Sequence, residues 1–266
     1  MRIRNREIGP GHPVFVIAEL SCSHQGDIEK ARGIIRAAAA AGADAIKLQT
    51  FHPHALAARR GVLDQRAPAP WSALTLSALY TEAHTPWSWH AELFTFARSL
   101  GLAAFSSAFS VEAVMFLKDI GSDAIKVSAF ESGQADILHA VTDSLMPAIV
   151  SVPLGVPAWH LELIGAIRSV ALLHCVSAYP ARCEAMGLRW GFNRLRQGAR
   201  PVGLSDHSCC ETTSVAAVAL GASIIEVHLM LEDAAYDTPP LDAGHSWRPD
   251  NFARLVQAIR HTEATL

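Results

Sequence analysis

The chain of 266 residues is half hydrophobic, and 18% of its residues are Asp, Glu, Lys or Arg. This composition supplies a large core and excludes an intrinsically disordered chain. The formal net charge of −3 provides no electrostatic footprint for nucleic acid or for an anionic membrane surface, so neither is expected as a partner. Residues 144–161 carry no charge, but three prolines interrupt them and exclude a membrane helix there.

The cysteines indicate the compartment in which the protein works. There are five, an odd number, none lies in a CxxC pair, and Cys209 and Cys210 are adjacent. This pattern predicts no disulfide framework and a reducing, cytoplasmic location. The basic start of the chain has only a short apolar run before Glu19, which does not predict a signal peptide.

Short apolar runs alternate with helical patterns along the chain. Eight runs predict strands, at residues 15–20, 44–49, 102–107, 123–128, 148–152, 170–176, 201–205 and 223–228. Helices are predicted from Asp27 to Gly42, at 89–99, 111–120, 135–144, 159–168, 188–197 and 212–220, and from about residue 249. The strands are almost continuously apolar, as in a parallel sheet buried on both faces. A doubly wound sheet also fits, but eight strand–helix units in about 250 residues favour a single-domain α/β fold, the (β/α)8 barrel.

Residues 51–88 form a long insertion after the second predicted strand and contain four prolines. In a barrel, the segment after a strand lies at the C-terminal face, where active sites are found. Long loops in that position often act as lids, and we predict one here. At its end, Trp87, Trp89 and His90 could contact a ligand, but packing of these side chains within the lid is favoured.

Polar or charged side chains stand at the carboxyl end of every predicted strand. In chain order they are Glu19, Lys47, Gln49, Ser106, Ser107, Lys126, Glu131, Ser151, His174, Ser177, Tyr179, Ser205, Asp206, His207, Glu226 and His228. Charged groups on core strands are unfavourable unless they are paired or used. A single charged residue at the end of one strand would indicate a structural ion pair. Because all eight strands end in this way, the pattern predicts a functional site at the mouth of the barrel.

The residue types at these ends suggest two kinds of chemistry. His207 and His228 lie on adjacent strands beside carboxylates, which suits a catalytic divalent metal; two satisfied core histidines are the alternative. Lys47 and Lys126, together with nearby serines, suit a phosphate or carboxylate. Alternatively, one lysine forms a Schiff base, as in class I aldolases. Position alone leaves both roles of the lysines open.

Several segments carry a family resemblance that runs from about Phe15 to Arg260. They are IAELSCSHQGDIEKARGIIRAAAAAGADAIKLQTF (17–51), YTEAHTPWSWH (80–90), AFSSAF (104–109), IKVSAFES (125–132), LLHCVSAYP (172–180), VGLSDHS (202–208) and VAAVALGASIIEVH (215–228). On these segments the chain resembles the sialic acid synthase family, and most closely its pseudaminic acid synthase branch. EAHTPWSWH and CVSAYP are typical of the branch, and SDH paired with E-x-H is typical of the wider family.

The resemblance implies a (β/α)8 enzyme that condenses phosphoenolpyruvate with an N-acetylated amino sugar. The product is a nine-carbon 3-deoxy-2-keto acid, and phosphate leaves by C–O cleavage. A divalent metal, manganese or magnesium, is implied at His207 and His228, where it polarises the sugar aldehyde that C3 of phosphoenolpyruvate attacks. In this scheme no lysine needs to form a Schiff base.

The same resemblance implies roles for individual residues. Glu131 is the expected general acid/base near C2 and C3, and Glu19 and Lys126 are the other expected catalytic residues. Expected substrate-binding residues are Lys47, Ser107, Ser151, Ser177, Tyr179, Ser205, Glu226 and Asp242. His24 either lines the pocket or has no role, and His245, near Asp242, is expected to be a solvent-exposed bystander.

The chain departs from the family pattern near the expected anion site. Ser23 and Gln25 replace the two asparagines of NHNG, Ala129 replaces a serine, and Pro153 ends a strand that usually reads Ser-Thr-Gly. Proline has no N–H to donate, and a donor lost from a buried anion site costs about 1–3 kcal/mol.

Family members also carry an antifreeze-like domain that closes over the partner subunit's site, and no such domain is expected in this chain. A homodimer is expected, with a separate capping protein as a further partner. The alternatives are another carbon–carbon bond-forming barrel enzyme with a diverged donor or acceptor, or a non-catalytic metabolite binder.

Overall fold

The computed structural model describes residues 1–196 and 200–266 and contains a closed barrel of eight parallel strands. The strands, labelled β1 to β8, are Phe15–Glu19, Ala45–Thr50, Ala103–Ala108, Ile125–Val127, Ala148–Pro153, Val170–Cys175, Val202–Asp206 and Ile224–Leu229. Each strand pairs in parallel with the next, and β8 pairs with both β7 and β1, which closes the barrel. The predicted (β/α)8 fold is confirmed, with every strand within two residues of its predicted bounds.

A helix follows every strand, although the one after β2 comes only after the insertion. The helices, labelled α1 to α8, are Ile28–Ala40, His90–Ser99, Val111–Asp119, Ala135–Ser144, Ala158–Gly165, Leu188–Leu195, Glu211–Ala219 and Pro249–Glu263. Most helices end within two residues of the predicted position, but α5 ends three residues early, at Gly165, whose carbonyl accepts a hydrogen bond from Arg200 at 3.1 Å. Helix α6 ends at Leu195. The predicted end of α6, Gln197, lies outside the described residues. Among those residues, no helix has the length and apolar character needed to cross a membrane.

Helix α1 shows how the local sequence sets these elements. The Asp27 side chain accepts a hydrogen bond from the backbone N–H of Glu29 and so satisfies a free donor at the helix start. Gly42, with φ of +84°, takes the left-handed conformation that follows the helix. Its buried face, Ala31, Ile34, Ile35 and Ala38, packs on the outside of the barrel.

Alternate residues of each strand point into the barrel, because the side-chain period of a strand is two. The apolar layer inside includes Phe15, Ile17, Phe105, Ile149, Leu173 and Ile224. Two residues further along the same strands, polar groups replace this layer, as when Ile17 is followed by Glu19 and Phe105 by Ser107. The interior therefore changes from apolar to ionic towards the carboxyl ends of the strands.

A short hairpin closes the opposite end of the barrel. Arg2–Ile3 and Arg6–Glu7 pair antiparallel, and they place Ile3 and Ile8, both fully buried, in the same apolar cluster as Phe15. No sequence pattern predicted this hairpin, because strands of two residues show no alternation.

The insertion after β2 is more ordered than the predicted loop. It contains the helices Pro53–Arg59 and Leu76–Ala83, followed by a 3-10 turn at Trp87–Trp89. The Trp87 ring stacks on His52, with ring centres 4.1 Å apart, and also contacts Phe116. These aromatic contacts attach the end of the insertion to the barrel, as the favoured packing interpretation predicted.

Candidate active site

A cavity of about 1010 Å³ opens at the carboxyl ends of the strands. The strand ends form its floor, and the insertion contributes Arg60, Trp71 and Tyr80 to its wall. The residues that were expected to be catalytic, to bind substrate or to hold the metal all line it, namely Glu19, Lys47, Ser107, Lys126, Glu131, Ser151, Ser177, Tyr179, Ser205, His207, Glu226, His228 and Asp242.

Three polar residues expected at the mouth lie instead on the outer face of the barrel. Ser106 accepts a hydrogen bond from Thr50 at 2.7 Å, and His174 contacts the carbonyl of Met186 at 2.6 Å. Asp206 accepts hydrogen bonds from the backbone N–H of Ser208, just before α7, and from the hydroxyl of Ser214 in α7. The expectation was wrong because each of the three immediately precedes or follows an inward-facing residue on its strand, and neighbouring residues face opposite sides.

A chain of buried charges crosses the floor of the cavity. The Lys47 ammonium lies 2.8 Å from a Glu19 oxygen and 3.3 Å from Glu226 Oε1, and the Lys126 ammonium lies 3.6 Å from that same Glu226 oxygen. Burial alone would raise the pKa of Glu19, but the Lys47 charge, followed by His228, holds it well below its ordinary value. Burial alone would lower the pKa of Lys47, but Glu19 and Glu226 raise it. The Glu19–Lys47 pair is therefore ionised at neutral pH.

Lys126 differs from Lys47 in its balance of charges. Burial lowers its pKa, Glu226 opposes that effect, and the nearby Lys47 adds to it. Its ammonium donates to the Ser151 hydroxyl at 2.7 Å and to the carbonyl of Val127 at 3.2 Å. An incoming anion would supply the negative charge that the surroundings of Lys126 lack.

Hydroxyl groups surround these two cations. Lys47 donates to Ser107 at 3.2 Å, and Ser205 donates to Glu226 Oε1 at 2.9 Å. The second Glu226 oxygen, Oε2, is buried with no hydrogen-bond partner among the described residues. This part of the cavity thus collects ammonium and hydroxyl donors around one carboxylate.

Glu131 is held by a residue that the sequence analysis missed. Arg60, from the insertion, forms an ion pair with Glu131, and the Ser128 hydroxyl donates to the same carboxylate. The Arg60 guanidinium also donates to the Tyr80 hydroxyl at 2.9 Å. Burial alone would lower the pKa of Arg60, but the Glu131 charge raises it. No periodic pattern marks Arg60, so the sequence offered no signal for this contact.

His207 and His228 lie next to each other in the lining of the same cavity, with ring centres 5.3 Å apart. Nδ1 of His207 lies 3.0 Å from the carbonyl of Val176, so that nitrogen carries the proton and Nε2 keeps a lone pair. Burial, with the charge of His228, lowers the pKa of His207 to about 3, which leaves the ring neutral. Nε2 of His228 lies 3.3 Å from Glu19.

His245 is buried, and the expectation of an exposed bystander was wrong. Only 1% of its surface is exposed, because the turn Ala243–His245 folds the ring against Trp71 and Tyr179. His228, Asp242 and His245 each offer one donor atom, and the three atoms lie within 4.8 Å of one another.

This donor set fits a divalent metal. It combines imidazole nitrogen with carboxylate oxygen. In addition, Nδ1 of both His228 and His245 is buried with no hydrogen-bond partner among the described residues.

The comparison with known families decides the assignment. The sequence pattern of the NeuB family matches residues 34–266. The chain belongs to the NeuB family. The resemblance to sialic acid synthases is therefore confirmed over most of the chain.

Several relatives of this NeuB-family chain are synthases. Pseudaminic acid synthase of Campylobacter jejuni is 35% identical over 259 residues, which cover 95% of this chain and 75% of the relative. The pseudaminic acid synthase of Helicobacter pylori is 33% identical over 273 residues, which cover 96% and 76%. Among solved structures, the chain is similar to the crystal structure of N-acetylneuraminic acid (sialic acid) synthetase from Leptospira borgpetersenii serovar Hardjo-bovis in complex with citrate. The TM-score is 0.88 and the sequence identity is 27%, and the match covers 100% of this chain and 89% of that chain. The NeuB-family chain is accordingly an enzyme of the synthase kind.

Proposed function

We propose that this enzyme condenses phosphoenolpyruvate with an N-acetylated amino sugar to give a 3-deoxy-2-keto nonulosonic acid of the pseudaminic or sialic acid type, with release of phosphate. The observation that carries the proposal is that one cavity holds two kinds of group next to each other. Buried Lys47 and Lys126, with Ser107 and Ser151, gather around Glu226. The Glu19 carboxylate contacts both Lys47 and His228 and so connects this group to the imidazoles and Asp242. The names of the relatives support the same reaction.

The lysine side of the cavity suits the phosphoenolpyruvate anion. The ammonium groups of Lys47 and Lys126 lie on either side of Glu226 Oε1, and Ser107 and Ser151 each bond one of them. Phosphate and carboxylate oxygens are strong acceptors for ammonium and hydroxyl donors. The chain supplies these hydrogen-bond donors although Ala129 has no side-chain hydroxyl and Pro153 has no backbone N–H. The anion site is therefore weakened without being lost.

The imidazole side suits the sugar aldehyde. Tyr179 packs on His207 with ring centres 4.4 Å apart, and Asp242 lies 3.3 Å from His228. A divalent ion, manganese or magnesium, held at His207 and His228 would polarise the aldehyde oxygen and so favour attack by C3 of the donor. Glu19 orients His228 from the barrel interior and is itself fixed by a hydrogen bond from Gln49 at 2.8 Å.

Glu131 is suited to accept the proton of the water that adds at C2 of the donor. Its carboxylate is fixed between Arg60 and Ser128 and lines the cavity. A general acid/base acts efficiently when its position is fixed within hydrogen-bond reach of the reacting atoms. The new C–C bond forms between C3 of phosphoenolpyruvate and the aldehyde carbon, whose oxygen takes up a proton to become a hydroxyl. Water adds at C2 and loses a proton, and the C2–O bond to phosphate then breaks to leave the ketone at C2 and free phosphate.

A Schiff-base mechanism is the alternative that one observation favours. Burial lowers the pKa of Lys126, which is the usual way to activate a lysine nucleophile. Yet its ammonium already donates to Ser151 and a backbone carbonyl and faces Glu226, an arrangement that holds a cation. Borohydride reduction in the presence of substrate would trap a covalent adduct only in the Schiff-base case.

The experiment that tests the function uses phosphoenolpyruvate labelled with ¹⁸O in its bridging C–O–P oxygen. The enzyme is mixed with this donor, Mn²⁺ and either a 6-deoxy diacetamido hexose or an N-acetylhexosamine. We expect sugar-dependent release of phosphate that carries the label, since C–O cleavage leaves the bridging oxygen on phosphorus. Label retained in the organic product, or no release with either sugar, would reject the proposal.

A matched pair of lysine variants completes the experiment. Lys126→Ala should abolish turnover with the fold intact, because the variant removes a donor from the anion side. Lys118→Ala, an exposed lysine on α3, should keep wild-type rates. The homodimer, the separate capping protein and the cytoplasmic location stay predictions.

A further inference from the structure

We infer that His245 and Asp242 bind the divalent ion directly, so that the metal centre of this chain has a third imidazole beyond the predicted pair of His207 and His228. The inference rests on the proposed function for the role of the ion. It concerns residues that the sequence analysis placed elsewhere, since Asp242 was expected to contact the sugar and His245 to face solvent.

The distances between the donor atoms match a metal coordination shell. Asp242 lies between the two rings, with Oδ2 3.3 Å from Nδ1 of His228 and Oδ1 3.4 Å from Nε2 of His245. Ligands bound at about 2.1 Å are separated from one another by roughly 3.0–3.4 Å in octahedral or tetrahedral geometry. Both distances to Asp242 therefore fit ligands of one ion, and the donor atoms of His228 and His245 lie within 4.8 Å of each other.

The burial of these groups also calls for a ligand. His228 and His245 are both buried, and Nδ1 of each has no hydrogen-bond partner among the described residues. Buried polar groups nearly always have a partner, and an isolated one requires an explanation. An ion coordinated by Nδ1 of His228 would satisfy one of these nitrogens directly and would balance the negative charge of the buried Asp242.

Neighbouring groups fix the ligands in the required orientation. Nε2 of His228 faces the Glu19 carboxylate at 3.3 Å, which leaves Nδ1 directed towards Asp242. The Ser21 hydroxyl donates to Asp242. Carboxylates and hydroxyls in these positions typically orient the ligands of metal sites.

The insertion closes this part of the site. The Trp71 indole donates to the carbonyl of Leu241 at 2.8 Å, and its ring packs on His245 with ring centres 6.0 Å apart. An ion held by Asp242 and His245 would therefore join three parts of the chain: strand β8, the turn after it and the insertion. Loading with metal should stabilise the protein against unfolding, since the ion binds only the folded arrangement.

The test measures the ion alone, without either substrate. Apo wild-type protein and the variant His245→Ala are titrated with Mn²⁺ by calorimetry, and their Co²⁺ forms are compared by X-ray absorption spectroscopy, which counts imidazole rings bound to the ion. We expect the variant to bind Mn²⁺ at least about 10-fold more weakly and to lose one imidazole from the Co²⁺ shell. His245→Gln, which keeps a polar side chain of similar size, should lose the same ring and provides the answer if the alanine variant does not fold.

A ring count that stays the same in the folded variants would overturn the inference, even if the affinity falls, because His245 would then only orient the true ligands. The control is His54→Ala, an exposed histidine of the insertion, which should change neither quantity. Since no substrate is present, an enzyme that binds metal through His245 but releases no phosphate would keep this inference and reject the proposed function.

Discussion

Arg60 of the insertion forms an ion pair with Glu131, a residue 71 positions later in the chain, just after β4. Only 25% of the Arg60 side chain and 5% of the Glu131 side chain are exposed. The guanidinium also lies over the rings of Phe130 and Tyr80, 5.2 and 5.6 Å from their centres. The insertion is thereby attached to the barrel at the residue predicted to move the proton.

The first prediction concerns Arg60 itself. Arg60→Ala leaves a buried carboxylate without its cation, and a charged hydrogen bond contributes about 1.5–3 kcal/mol. Because about 1.4 kcal/mol corresponds to a tenfold change in rate, we expect kcat/KM to fall by roughly 10- to 100-fold. Steady-state phosphate release measures this loss, with Arg66→Ala, an exposed arginine of the same insertion, as the control that keeps the wild-type value. Equal values for both variants would show that Glu131 needs no partner.

The second prediction separates charge from shape at Glu131. Glu131→Gln keeps the volume and can still accept from Ser128, but it can no longer exchange a proton or pair with Arg60. Turnover should be abolished while the thermal unfolding temperature and phosphoenolpyruvate binding are kept. A variant with wild-type rates would reject the catalytic role of Glu131.

The alternation of strands and helices in the sequence was sufficient to predict the barrel, because each strand is a continuous apolar run and each helix has one apolar face. The floor of the site followed from the fold, since Glu19, Lys47 and His228 stand on strands whose ends must meet. The choice of face was harder. Ser106 and His174 were included although they neighbour Ser107 and Cys175, which point inward, and counting in steps of two from the apolar layer would have excluded them.

Contacts from irregular segments were beyond prediction from the sequence. Arg60 lies in the insertion and His245 in a turn after β8, and no periodicity fixes where such segments fold back. Only the tertiary packing of Trp71 against His245 and of Phe130 against Arg60 brings them into the cavity.

The third prediction concerns removal of the metal. Polarisation of the aldehyde by the ion contributes several kcal/mol to the transition state, so treatment with a chelator should lower kcat by at least about 100-fold. Added Mn²⁺ should restore the rate in the wild type but not in His207→Ala, and metal analysis of both proteins checks the cause. Full activity after the metal content has reached zero would exclude a metal-assisted reaction.

The fourth prediction tests the hairpin at the far end of the barrel. Ile8→Ala removes a buried side chain from the cluster that includes Phe15, and such a deletion costs about 2–5 kcal/mol. Urea unfolding should show this loss with kcat unchanged, because the hairpin lies at the end opposite the cavity. Met115→Ala, half exposed on α3, is the comparison and should cost less than about 0.5 kcal/mol.

The fifth prediction concerns Gly203 in β7. A glycine is needed there because a side chain would not fit, and not because of the backbone conformation. A Cβ atom there would lie 2.3 Å from the carbonyl oxygen of Ile224 and 2.8 Å from the side chain of Leu173. The oxygen belongs to the adjacent strand β8 and can move only if the pairing of the two strands changes. Gly203→Ala should therefore destabilise the protein by about 1–3 kcal/mol or more. It should also displace Ser205 and break its hydrogen bond to Glu226.

Gly244→Ala, where a Cβ meets nothing within 4 Å, serves as the reference in urea unfolding. Equal stability of the two variants would mean that β7 and β8 are less closely packed than described.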